Sequence, residues 1–365
     1  MLKENWTYKK LGEACEIYQP QTISTEMLVP DGEYLVYGAN GIIGRYDKYN
    51  HIESEVLLTC RGATCGSINV SAPYSWINGN AMVIHPIDDS VFCSRSFLVY
   101  LMKSIDYSLV ITGAAQPQIT RQKLSPVKIA IPPIETQSRI VSELDLLQSI
   151  IDKQKAQLKE LDNLAQAVFY DMFGDPVEND KGWEVKKLGE VCTFLQGEQV
   201  PIEEQFFEKK DGTIRFLRIV DFTQGNEEPR YVYCKDEKHI LHDKEIAIVR
   251  YGTPGFVCYG KFGLIANNLF KVVPKNINSF DFRYLVSWLE SSAFQSTVQD
   301  NQYGAALQAI KFGTIQNINI IMPPLSLQQS FAAKIESVEK QKAAITQSIA
   351  ETQRLFDYTM DKYFG

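Results

Sequence analysis

The chain repeats itself, and the repeat strongly restricts what it can fold into. Asn5-Trp6-Thr7-Tyr8-Lys9-Lys10-Leu11-Gly12-Glu13-Ala14-Cys15 returns as Gly182-Trp183-Glu184-Val185-Lys186-Lys187-Leu188-Gly189-Glu190-Val191-Cys192, an offset of 177. Gly113-Ala114-Ala115 returns as Gly304-Ala305-Ala306, Pro132-Pro133 as Pro323-Pro324 and Phe173-Gly174 as Phe364-Gly365, each at an offset of 191. The second copy has therefore grown by a net 14 residues inside its body. Between these anchors the copies share little. A glycine turn recurs, Thr59-Cys60-Arg61-Gly62-Ala63-Thr64 beside Arg250-Tyr251-Gly252-Thr253, and Asn80 matches Asn268 more weakly. A duplicated enzyme would need its catalytic residues twice; a shared frame with divergent surfaces suits two different recognition faces on one scaffold.

After each Pro-Pro, which cannot continue a helix, comes a proline-free stretch of about 40 residues. In the first, Ile140, Leu144, Leu147, Ile151, Gln154, Leu158, Leu161, Ala165, Val168 and Met172 keep a 4-3 spacing. In the second, the same spacing runs through Phe331, Ile335, Val338, Lys342, Ile345, Ile349, Thr352, Phe356, Thr359 and Tyr363. This is the pattern of a coiled-coil seam. Gln154 and Lys342 are polar intrusions that cost stability and are candidates to fix register. Ser326 and Gln329 are spaced for a capping box at the start of the second helix. The first helix must deliver the chain to the second body, so the simplest closed arrangement is an antiparallel two-helix coiled coil with a body at each end and pseudo-twofold symmetry.

Both bodies read as α+β. Residues 34–37, 55–59, 67–70 and 81–84 read as strands in the first, with glycine turns between them and a helix near 94–105. Residues 215–219, 245–249, 256–259 and 270–273 with a helix near 281–291 parallel them in the second. The expected divisions are 1–134 for the first globular domain, 135–174 for the central helix, 175–325 for the second domain and 326–365 for the distal helix.

A chain of 365 residues can bury two such cores unaided. No apolar run approaches the roughly 18 to 20 residues of a membrane span. The opening Met1-Leu2-Lys3-Glu4-Asn5-Trp6 lacks a basic stretch followed by an apolar one, so the expected location is cytoplasmic. Seven scattered cysteines with no CxxC pair fit reduced thiols. His239 and His242 stand among charged residues and read as structural, so no metal site is expected. Net charge is −7, and neither body is basic: residues 1–134 carry 11 basic and 12 acidic side chains, and 175–325 carry 17 and 20. Any nucleic-acid surface must then be a local stripe.

Enzyme readings fare poorly. A methyltransferase loop needs an amide or carboxylate before its double proline, whereas Ile131 and Met322 stand there. Asp180, Glu184 and Lys186 have nuclease-like spacing, but Lys3, Thr7 and Lys9 occupy the matching places in the first copy.

The two-copy plan, Trp-x-x-Lys-Lys-Leu-Gly-Glu at each start, Gly113-Ala114-Ala115-Gln116-Pro117-Gln118-Ile119 and the Pro-Pro before each long helix together resemble the specificity subunit of type I restriction-modification systems, over the whole chain. The resemblance implies two target-recognition domains, each reading half of a bipartite double-stranded DNA site. It implies helices that set the spacing and dock modification (methyltransferase) subunits, with restriction (ATP-dependent translocase and nuclease) subunits completing the complex. The chain itself would be non-catalytic, and S-adenosylmethionine, ATP and Mg would belong to the partners. The seam from Ile140 to Met172 spans about 48 Å at 1.5 Å per residue, or roughly 14 base pairs at 3.4 Å each.

Arginine can pair bidentately with guanine, and asparagine or glutamine with adenine. On that chemistry the candidate DNA contacts are Arg61, Asn78, Asn80, Gln116, Gln118 and Arg121 in the first domain. In the second they are Arg250, Tyr251, Lys261, Asn267, Asn268, Tyr303, Gln308 and Lys311. Leu307 and Ala309 stand where the first copy has Gln116 and Gln118, so those contacts are not shared. The competing reading is a protein-interaction or lectin-like scaffold, which the negative charge favours but which has no need of matched long helices.

Overall fold

A computed structural model describes residues 5–113, 116–224, 228–276, 278–302 and 309–365. The chain divides into two compact units, residues 1–155 with 347–365, and residues 156–346. Each unit thus takes in one α+β body and part of both long helices.

In the first unit Ala81–Pro86 and Val56–Thr59 are the inner strands of a four-stranded antiparallel sheet, flanked by Cys15–Tyr18 and Ile68–Val70. Both inner strands are buried almost throughout, because both faces of the sheet are covered. Val56, Leu58, Met82 and Ile84 face Phe97, Leu98 and Leu101 of the helix Arg95–Lys103. Leu57, Ala81 and Val83 face Tyr37 and Ile77 of a second sheet made of Gly41–Tyr46, Tyr34–Gly38 and Trp76–Ile77. Ser94 caps the helix by accepting from Phe97 N at 3.3 Å.

The second unit repeats the plan with Cys192–Gln196, Leu269–Pro274, Ile246–Val249 and Val257–Cys258. Ile246, Ile248, Phe270 and Val272 pack towards the helix Phe282–Glu290. Ala247, Val249 and Leu269 pack towards Leu217 and Ile265 of a second sheet, Tyr231–Tyr233, Thr213–Leu217, Gly263–Ile265 and Ile240–Leu241. The strand expected at 215–219 lies two residues earlier, because the Asp221 carboxylate accepts from Arg218 N at 2.9 Å and turns the chain into a short helix, Ile219–Thr223.

The repeated opening motif closes each body. Thr7–Lys10 pairs antiparallel with Lys128–Ile131, the strand that leads into Pro132-Pro133, and Glu184–Lys187 pairs likewise with Asn319–Met322. Leu11 N donates to Val127 O and Leu188 N to Ile318 O, both at 2.8 Å. Glu13 and Glu190 accept from the Lys10 and Lys187 amides at 3.1 Å. The glycine between is forced by contact: a Cβ on Gly12 would stand 2.8 Å from Ser125 Cβ, and one on Gly189 2.9 Å from Gln316 Cβ.

The long helices run Ile134–Phe173 and Leu325–Phe364. Every seam position is buried or half-buried. Within the first unit the helix segments are antiparallel, with Tyr363 donating to Glu143 at 2.8 Å and Gln154 to Ser348 at 2.7 Å. Within the second, Lys342 pairs with Asp162 and Phe169 packs edge-on to Phe331. Here the 4-3 reading is incomplete: Phe169 and Phe173 are fully buried, whereas Val168 and Met172 are half-buried. The aromatic pair has rotated the packed face towards Tyr284.

The capping box of Ser326 and Gln329 does not form, because the helix already opens at Leu325. Gln328 does the work instead. Its Oε1 accepts from Asp281 N at 2.8 Å, and its Nε2 donates to Pro323 O at 2.8 Å and Ser279 O at 3.3 Å. Gln137 makes the same set with Cys93 N, Pro132 O and Val91 O, each at 2.9 Å. Among the described residues no helix is long and apolar enough to cross a membrane.

Candidate nucleic-acid interface

The candidate site gathers where the inner strands of each main sheet run out. In the first unit Cys60 N donates to Asn80 O at 3.3 Å, Ile119 N donates to Cys60 O at 3.0 Å, and Arg61 is bridged to Gln118. In the second, Arg250 N donates to Asn268 O at 2.8 Å, Ile310 N donates to Arg250 O at 2.9 Å, and Tyr251 is bridged to Ala309. These bonds equate Asn80 with Asn268, Cys60 with Arg250, Arg61 with Tyr251 and Gln118 with Ala309. The next residue in each copy is a left-handed glycine, Gly62 at φ +87° and Gly252 at φ +97°. A substituted residue would strain that turn.

One further pair completes the frame. Gln19 Nε2 donates to Gly79 O at 2.8 Å and Gln196 Nε2 donates to Asn267 O at 2.9 Å. Sequence reasoning passed over both glutamines, although each stands four residues after a cysteine of the repeated motif. The backbone is thus bracketed alike in the two units, while the side chains it presents are mostly different.

In the first unit Arg61, Asn80, Gln116, Gln118 and Arg121 are exposed. Arg61 and Gln118 are brought side by side, with Asn80 adjoining through Cys60; Arg121 opens the short helix Arg121–Leu124. Asn78 departs from expectation. It is buried, its Oδ1 accepts from Ile23 N at 3.0 Å and Trp76 Nε1 at 3.1 Å, and its Nδ2 donates to Ile23 O at 3.3 Å. An amide so engaged pins a loop and has no edge left for a base.

In the second unit Arg250, Tyr251, Asn267 and Asn268 converge. Arg250 Nη1 donates to Gln196 Oε1 at 3.3 Å, and its guanidinium lies 5.0 Å over Phe312. Tyr251 Oη donates to Asn267 Oδ1 at 3.1 Å, and Asn267 Nδ2 donates to Gln199 Oε1 at 3.4 Å. Arg250 Nε and Asn268 Oδ1 are buried and take no hydrogen bond. Lys311 is exposed just before the helix Phe312–Gln316. Lys261 is exposed and donates to the Asp221 carbonyl. Tyr303 and Gln308 lie outside the described residues.

The residues with nuclease-like spacing serve local structure: Asp180 accepts from Asp175 N at 2.9 Å, and Glu184 pairs with Lys186 at 3.2 Å. Among the described residues no group of three or more His, Cys, Asp or Glu is placed to hold a metal ion. The seven cysteines are free thiols, and burial pushes those of Cys15, Cys192 and Cys258 up to about 12.

The family model described as the type I restriction modification DNA specificity domain matches residues 3–163 and again 180–353. The type I restriction enzyme MjaIX specificity subunit of Methanocaldococcus jannaschii is 25% identical over 309 residues, 77% of this chain and 70% of the relative. The crystal structure of the type I restriction-modification S subunit of M. genitalium superposes with a TM-score of 0.59 at 14% identity, over 99% of this chain and 96% of that one. A chain from a structure concerned with complex assembly and conformational transition of the type I R-M system gives 0.56 at 18% identity, over 98% and 97%.

Proposed function

The chain belongs to the type I restriction-modification DNA specificity family, and from that premise we propose that its two units read the two halves of a bipartite DNA site through the side chains at the matched strand ends. It is the non-catalytic specificity subunit of such a system, with two target-recognition domains, and it assembles with modification and restriction subunits.

The observation that carries the half-site reading is the pairing of a common frame with uncommon side chains. The same backbone bonds present Cys60, Arg61 and Gln118 in one unit and Arg250, Tyr251 and Ala309 in the other. Enzymes duplicated for activity keep their side chains; readers of two different half-sites must change them. The buried, unpaired Arg250 Nε and Asn268 Oδ1 support this, because such atoms cost free energy unless a ligand supplies their partners. Arg61, Asn80, Gln116, Gln118 and Arg121 in the first unit, and Arg250, Tyr251, Asn267, Asn268 and Lys311 in the second, are the base or phosphate contacts of this scheme. The paired helices set the gap and carry the docking surface for modification subunits. S-adenosylmethionine, ATP and Mg²⁺ are bound by the partners, and the complex works in the cytoplasm.

Methylation mapping of DNA from cells carrying the complete system tests the reading. Two short specific blocks separated by a fixed unspecified gap are expected. A contiguous site, or methylation without sequence preference, overturns it.

A further inference from the structure

We infer that the second unit carries a phosphate-binding patch, absent from the first, that the residues added to the second copy build around Asp221. The inference rests on the DNA reading above.

The place of the added residues is fixed by matching bonds. Asn78 N donates to Tyr37 O, and Ala266 N donates to Leu217 O, each at 2.9 Å, which equates Tyr37 with Leu217 at an offset of 180. Val56 opposes Ile84 as Ile246 opposes Val272, which equates Val56 with Ile246 at an offset of 190. Most of the net growth therefore falls between these points, in the segment that holds the helix Ile219–Thr223 and the strand Tyr231–Tyr233.

That segment organises three cations. The Asp221 carboxylate is wholly buried, pairs with Arg215, and accepts from Arg218 Nε at 3.0 Å and Arg218 N at 2.9 Å. The Asp221 carbonyl takes the ammonium of Lys261. Arg218 Nη2 is further fixed on Glu228 O at 2.9 Å. A buried carboxylate needs charge-assisted partners; one would nearly balance it, and here two arginines share it while Lys261 adds a third cation on the backbone carbonyl of the same residue. The arginine side chains remain 26% and 22% exposed, and Lys261 is exposed, so the surplus positive charge faces solvent. In an acidic protein this is a local basic stripe.

Its position and geometry indicate the ligand. A Cβ on Gly252 would stand 3.7 Å from Ile219 Cδ1, so the patch borders the Tyr251–Gly252 turn of the candidate site. The guanidinium groups already spend donors on the carboxylate and backbone, which disfavours a bidentate grip on guanine and suits single bonds to phosphodiester oxygens. The matching stretch of the first unit has no such assembly: Arg45 is turned onto the carbonyls of Gly32 and Glu33.

The test is binding of the complex with its modification subunits to a duplex carrying the mapped site, over a range of salt. Lys261→Gln leaves Asp221 and both arginines in place, so it is expected to fold. It should flatten the plot of log affinity against log salt by about one counterion, with base preferences in both half-sites unchanged. Lys261→Arg should restore the slope. Lys48→Gln, in the matching stretch of the first unit, should leave it as it was. An unchanged slope in folded Lys261→Gln overturns the patch, as does a loss confined to one base pair, which would make Lys261 a base reader. No preference for the mapped site by the unsubstituted complex overturns the DNA reading itself.

Discussion

Gln154 donates from Nε2 to Ser348 Oγ at 2.7 Å, while its own Oε1 is buried with no partner. A seam glutamine held by one bond and left short of another lowers stability and favours the one helix register that supplies its partner. Lys342, the other polar seam residue, spends its charge on Asp162. Replacing both with leucine should raise the melting temperature, by a gain of about 1 kcal/mol. It should also blur the gap between half-sites in methylation mapping. A gap that stays single and unchanged would remove register from the role of these residues.

Gln137 and Gln328 should matter more for stability than any exposed residue. Each is wholly buried and ties the first turn of a long helix to the backbone of its own body. Gln137→Leu or Gln328→Leu strands one amide and two carbonyls, which should cost about 2 to 4 kcal/mol in urea unfolding. A loss under about 0.5 kcal/mol, the range of ordinary surface changes, would mean that water replaces these bonds.

These glutamines also mark the limit of what the sequence discloses. The seam is legible because spacing alone specifies which face of a helix is buried. Buried glutamines are not, because a polar residue just after a double proline reads as surface or cap, as Ser326 and Gln329 do. The pairing of Thr7–Lys10 with Lys128–Ile131 joins segments more than a hundred residues apart, and no local pattern announces it. In the site, the weak match of Asn80 with Asn268 is a true structural equivalence. Asn78 looks equally suitable for base contact and is spent on Ile23, since residue type does not reveal what a side chain faces.

Arg250 should be a one-sided specificity residue. Its equivalent is Cys60, which meets Gln19 through its thiol at 3.2 Å, so the first unit keeps the glutamine contact but has no guanidinium there to match the one that bonds Gln196 and lies over Phe312. Arg250→Ala should cost about 1 to 3 kcal/mol of discrimination at one position of one half-site. The other half-site should be read as before. Equal loss in both halves, measured by competition with single-base variants of the site, would mean the substitution damaged the fold instead.

Glu55 gives the first unit a dependence on pH. It is buried, with both carboxylate oxygens 3.0 Å from His85 Nδ1. Burial raises its pKa, and the His85 contact opposes this without cancelling it. The folded state then holds its proton to higher pH than the unfolded chain does. Its stabilising contribution is complete below the unfolded carboxylate range and is lost as pH rises through the raised value. Unfolding curves from about pH 4 to about pH 8 should show the parent falling relative to Glu55→Gln as pH rises. A constant difference across that range would mean the carboxylate is solvated.

The helices as a ruler make the strictest demand. Removing one heptad from each, at levels that face each other across the seam, shortens each helix by about 10.5 Å and rotates the remainder of the helix by only about 20°. Seam residues would still meet seam residues, because the 4-3 pattern survives a deletion of seven. The gap between half-sites should shrink by about 3 base pairs at 3.4 Å each, with the bases read in each half unaltered. Removing four residues from each instead breaks the pattern and should abolish assembly rather than shorten the gap. A heptad deletion that folds, methylates and keeps the original gap would transfer the setting of distance from the helices to the partner subunits.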